Sequence, residues 1–191
     1  MFQRTRDYAK DYEHIGSTIQ YKGKYYRLNV EQPALNLRKA AYVVSLIIAL
    51  GLFIAIGFSG SPALGAQGGA GGGATPLYVV LPYVILLLPL GLGLARALLL
   101  AVKSRPLEYG EYDKYLVQQK GVLLAALGAS GLLILCMVAF LLFGGAIAAP
   151  QWLAILEAVL CGACIFLAYQ QYHALFTSVA IDEGKRVRYD I

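Results

Sequence analysis

Charge is scarce in this chain. Asp, Glu, Lys and Arg make up only 14% of its 191 residues, while 59% are apolar. A soluble globular domain carries about a quarter of its residues charged. So little charge cannot screen so much apolar surface from water, which excludes an ordinary soluble domain and makes lipid the expected solvent. Cysteine is scarce too, and Cys136, Cys161 and Cys164 all fall inside apolar runs, which excludes an extracellular disulfide framework. A charged stretch of 39 residues precedes the first apolar run. No cleavable leader is therefore expected, and that run stays in place as an anchor. There is no Walker motif, no nucleophile elbow, no H-E-x-x-H and no pair of carboxylates within a span. Without a convergent acid, base and nucleophile, no enzymatic role is expected.

What the chain does have is four long apolar runs. A bilayer core about 30 Å thick is crossed by roughly 20 helical residues, and Ala40–Phe58, Leu77–Val102, Gly121–Ala148 and Trp152–Val179 all meet that length. Thr75-Pro76 and Pro150 stand before the second and fourth runs as helix-starting signals. The runs show no alternation and far exceed a membrane strand, and in lipid the backbone has to satisfy its own hydrogen bonds. The expected fold is an all-α membrane protein, a four-transmembrane-helix bundle. Residues 1–39 form an N-terminal segment, 40–179 the membrane domain and 180–191 a tail.

Lys and Arg fix the expected direction. Arg4, Arg6, Lys10, Lys22, Lys24, Arg27, Arg38 and Lys39 precede the first span, Lys103, Arg105, Lys114 and Lys120 lie between the second and third, and Lys185, Arg186 and Arg188 follow the fourth. With Arg96 near the inner end of the second span, these account for all 16 basic residues. The other two connections, Ser59–Pro76 and Ala149–Gln151, carry no charge of either sign. Both termini are therefore expected in the cytoplasm, N-in and C-in, for a multi-pass protein of the cell membrane.

The first outer connection is a glycine-rich linker without side chains suited to recognising a ligand. On the inner side, Thr18–Leu28 is β-prone on either side of Lys22-Gly23, and Val179–Tyr189 has a similar form around Asp182-Glu183-Gly184. Each reads as a short β-hairpin-like segment, and the two are expected to combine in a small cytoplasmic sheet. Eight basic residues against four acidic ones before Ala40 suit contact with anionic lipid headgroups. Although tyrosines interleave with bases there, no recognised binding motif accompanies them, so nucleic acid is not an expected partner.

Glu157 is the one acid inside a span, and an ionisable group there is by default a candidate functional residue. It can bind a proton, a cation or an amine. Alternatively it sits protonated or reaches interfacial water, since it lies only ~8 Å below Trp152. Glu157, Cys161, Cys164, Ala168 and Gln171 recur at steps of 4, 3, 4 and 3, giving a weakly polar stripe expected to face the bundle interior. Such a stripe lines a polar pathway or, more simply, lets helices pack closely. In the second span Pro82, Leu86, Pro89, Gly93 and Arg96 share a face, and the two prolines favour a kink. Arg96 lies ~20 Å deeper than Glu157, too far for the two to pair, and is expected to snorkel to the headgroups.

Cys161-Gly-Ala-Cys164 has the spacing of a redox pair. Within a regular helix, though, those Cβ atoms stand ~5–6 Å apart, too far for a disulfide, and no further ligands accompany them for zinc. No metal and no cofactor is expected. Gly121, Ala125, Gly128 and Ala129 form a small-residue patch suited to close helix packing, inside the bundle or against another protein. Two functional expectations follow. The first is a non-catalytic accessory, assembly or scaffold subunit bound to a membrane protein partner. The alternative is a small ion- or proton-coupled transporter or channel, which needs a homo-oligomer because four helices leave little room for a pathway.

Overall fold

The computed structural model describes residues 12–15, 18–21, 25–28, 31–59, 77–103, 106–143 and 149–182. Its body consists of helices α1 (Gln32–Ser59), α2 (Leu77–Val102), α4 (Gln118–Phe143) and α5 (Ala149–Thr177). A short helix α3 (Tyr109–Tyr112) and a π-helical turn (Asp113–Val117) run into α4 without a break. All four stretches are long and apolar enough to cross a membrane. Each helix packs on its neighbours in the chain, and α5 closes the ring against α1 in the most extensive contact of the bundle.

The packing follows from helical spacing. Leu35, Lys39, Tyr42, Leu46, Ala49, Phe53 and Ile56 are the buried residues of α1, at alternating steps of 4 and 3. On α5 they are Ala154, Ala158, Cys161, Ile165, Ala168, Tyr172 and Leu175. Each helix thus turns one narrow seam inward, the arrangement of a bundle with interlocking side chains. The opposite faces are apolar as well, with Leu88, Leu135 and Leu142 all largely exposed. An outer surface of that kind is stable against hydrocarbon and costly in water. α2 is continuous through Pro82 and Pro89. At Gly57 the bundle closes tightly: a Cβ there would lie 2.6 Å from the Tyr83 hydroxyl. That hydroxyl donates to the Phe53 carbonyl at 3.2 Å, and the two rings stack at 4.3 Å.

The ends of the helices depart from expectation. α1 begins at Gln32, before the charged pair Arg38-Lys39, because Pro33 is tolerated in a first helical turn and the exposed polar residues there need not enter lipid. At the far end, Ala149–Gln151 is not a loop but the first turn of α5, with Pro150 in the position that suits it. α4 ends at Phe143, short of Ala148, and residues 144–148 lie outside the described residues.

The strands bear out the expected meeting of the Thr18–Leu28 segment with the tail, but not the hairpin within that first segment. β1 (Tyr12–Ile15) pairs antiparallel with β2 (Thr18–Tyr21), with Tyr12 opposite Tyr21 and Ile15 opposite Thr18. β3 (Tyr25–Leu28) does not fold back on β2. It is the central strand of a second sheet, between β4 (Leu107–Glu108) and β5 (Val179–Asp182). The hairpin about Lys22-Gly23 is therefore corrected, and those two residues lie outside the described set. The tail contributes β5 to β3, and the hairpin expected over Val179–Tyr189 falls mostly on residues 183–191, which lie outside the described residues. β-propensity marks which residues extend but not which strand they meet, and here the helix ends decide the partner. Tyr26 couples this sheet to the bundle, stacked on Tyr112 at 4.1 Å, and Tyr112 in turn lies 6.4 Å from Phe176.

Candidate functional site

Polar side chains gather in the half of the bundle nearest the sheet, and Gln119 is their centre. It is 1% exposed and enters from the first turn of α4. Its Nε2 donates to the Tyr42 hydroxyl on α1 at 2.5 Å and to the Gly93 carbonyl on α2 at 3.0 Å. One amide therefore ties three helices together. Its Oε1 is enclosed with no hydrogen-bond partner. The helices pack closely here, and a Cβ at Gly93 would stand in van der Waals contact with Gln119 Nε2 at 3.6 Å.

The fourth helix joins the same layer. The buried Tyr172 hydroxyl donates to the Leu116 carbonyl in the π-helical turn at 2.6 Å. In that turn the Gln118 N–H bonds the carbonyl of Asp113, five residues back, and the Gln118 side-chain Nε2 donates to Asp113 Oδ2 at 2.8 Å. Gln118 Oε1 accepts from Arg96 Nη2 at 3.3 Å. Arg96 thus reaches across to the first turn of α4. Its Nη1 is enclosed without a partner. Nearer the sheet, the largely buried Lys39 donates to the Lys103 carbonyl at 2.7 Å, placing a cation just past the C-terminus of α2. Lys103 pairs with Glu111.

The positions singled out by sequence are distributed differently. Glu157 lies at the opposite end, half-buried, where its Oε1 accepts from Ser59 Oγ at 3.0 Å while its Oε2 is enclosed and unpartnered. Cys161 and Ala168 belong to the inward seam of α5, with Cys161 Sγ 3.3 Å from the Ala49 carbonyl. Cys164 and Gln171 flank that seam and are only half-buried. The stripe is therefore rotated from the expected one: Ala158, Ile165 and Tyr172 occupy its centre, because the seam follows the largest buried surface and not polarity. Pro82, Leu86 and Gly93 face the core of α2, whereas Pro89 and Arg96 lie beside it. In the small-residue patch only Ala129 is buried; Gly121, Ala125 and Gly128 face outward, and a Cβ at either glycine would meet nothing within 4 Å.

Arg96 and Glu157 stand apart, as their depths require. The residues that sequence reasoning passed over are Tyr42, Asp113, Gln118 and Gln119. A signal for two of them was present: Tyr42 and Gln119 stand in step with Leu46 and Leu123, four residues on, at seam spacing. No metal-binding group of His, Cys, Asp and Glu occurs among the described residues. No protein-family model matches the chain, and neither a curated protein nor a solved structure does.

Proposed function

We propose that this chain is a non-catalytic subunit of a membrane complex, oriented in the cell membrane with the sheet and both termini in the cytoplasm. The observation that carries this reading is the sheet itself. β3, β4 and β5 come from three segments far apart in sequence, and they meet at one end of the bundle. Helices in lipid close their own hydrogen bonds and do not require such a platform to pack. Its exposed Arg27 and Ile181 give a mixed polar and apolar surface of the kind protein partners bind. The interior supports the same reading, because the side chains of Gln119 and Tyr172 join helix to helix.

Purification in mild detergent through a C-terminal tag, with mass spectrometry of whatever is retained in stoichiometric amount, tests this. A defined partner is expected, lost on Tyr26→Ala, which removes the stacking on Tyr112, and weakened by Gly128→Leu on the uncovered face of α4. Helical content by circular dichroism is expected to stay at the wild-type level in both. Undiminished association in both variants overturns the reading.

Transport by an oligomer is the second reading. Its specific support is Glu157, whose unpartnered, enclosed Oε2 is the kind of group that takes up a proton or cation within a span.

A further inference from the structure

Between α2 and α4, on the outer surface of the bundle, runs an open groove of about 480 Å³. Its walls are apolar, formed by Leu88 and Leu92 on one side and Val122 and Ala125 on the other, and Arg96 and Gln118 close one end. We propose that this groove holds one anionic phospholipid from the leaflet on the sheet side, with an acyl chain along the apolar walls and the phosphate at Arg96.

Three observations lead there. The first is charge. Arg96 is half-buried, its Nη1 enclosed in the protein, and the partner of its Nη2 is the neutral amide of Gln118. No carboxylate forms an ion pair with it among the described residues, and Asp113 reaches it only through the Gln118 amide. A guanidinium beside hydrocarbon without a counter-ion is costly, and phosphate is the anion that its planar fork matches best. The second is depth. Arg96 lies 19 residues from the start of α2 at Leu77, hence ~28 Å along the axis. In a hydrocarbon core about 30 Å thick, that places the guanidinium beside the phosphates of the nearer leaflet. The third is shape. Ala125 and the neighbouring Gly121 leave the wall of α4 low, and a groove of several hundred cubic ångströms suits a lipid-sized ligand. The proposal requires that the helices cross a bilayer. It does not depend on the subunit reading.

The full-length chain, reconstituted in nanodiscs of mixed phosphatidylglycerol and phosphatidylcholine and released for native mass spectrometry, tests the site. One phosphatidylglycerol per chain is expected to be retained in preference to phosphatidylcholine. Arg96→Gln should weaken retention by about fivefold or more, the factor equivalent to ~1 kcal/mol per basic residue. Ala125→Leu fills the groove while keeping the charge, and should abolish retention; it decides the matter alone if Arg96→Gln does not fold. Arg27→Gln, on the exposed face of the sheet, should leave retention unchanged. Equal retention of the two lipids overturns the proposal. So does wild-type retention in Ala125→Leu, or a loss in Arg27→Gln as large as in Arg96→Gln.

Discussion

The amide of Gln119 supports a quantitative test of how this bundle is held together. Tyr42→Phe deletes one hydroxyl from a residue 1% exposed and leaves Gln119 Nε2 with the Gly93 carbonyl alone. Gln119→Leu keeps the approximate volume but removes both bonds. Interhelical hydrogen bonds in membrane proteins average ~0.6 and reach ~1.7 kcal/mol, so Tyr42→Phe is expected to cost that much. Gln119→Leu breaks two bonds, for which the gross cost is about 1–3 kcal/mol. It also eliminates the enclosed, unpartnered Oε1, and this offset should bring the net cost to the lower end of that range. In the double variant the shared bond is lost only once. Its destabilisation should therefore fall short of the sum by ~0.6–1.7 kcal/mol. The assay is reversible unfolding of the purified chain in mixed micelles by SDS titration, followed by far-UV circular dichroism. Additivity within about 0.3 kcal/mol would show that the two side chains are not coupled in the folded bundle, and would refute the picture of Gln119 as a three-helix tie.

Two further outcomes can be checked directly. Glu157→Gln preserves an oxygen able to accept from Ser59, so its stability should change by less than about 1 kcal/mol. Under the subunit reading, ion and proton flux in proteoliposomes should be the same in wild type and variant, whereas a flux abolished by the substitution would favour transport. In a background lacking the three native cysteines, Ser61→Cys should react with a membrane-impermeant maleimide in intact cells and Arg188→Cys only after permeabilisation. The reverse labelling pattern would overturn the orientation.

Much of the architecture was legible in the chain because long uncharged apolar runs leave the backbone so few alternatives. Uncharged runs of twenty or more residues have one stable solution in lipid, so the two ends of the second span, at Leu77 and Val102, follow almost directly from composition. The start of α1 at Gln32 and the helical continuation from Tyr109 into α4 were less visible, since polar residues outside the apolar run can adopt either state. Seam positions were available from the 4-and-3 spacing. Polarity, however, was a misleading guide to rotation: it put Glu157, Cys164 and Gln171 on the inner face of α5, where Ala158, Ile165 and Tyr172 in fact pack.

By itself the sequence determined the number of apolar helices and their approximate extent. These depend on local properties, hydropathy and backbone satisfaction, that are additive along the chain. Only the tertiary structure decided which remote groups meet: Gln119 with Tyr42 and Gly93, Tyr172 with the Leu116 carbonyl, Arg96 with Gln118, and β3 with β4. Such pairings depend on how each helix is rotated and where it ends relative to its neighbours. That rotation is set by the packing of all four seams at once, and no single segment contains it.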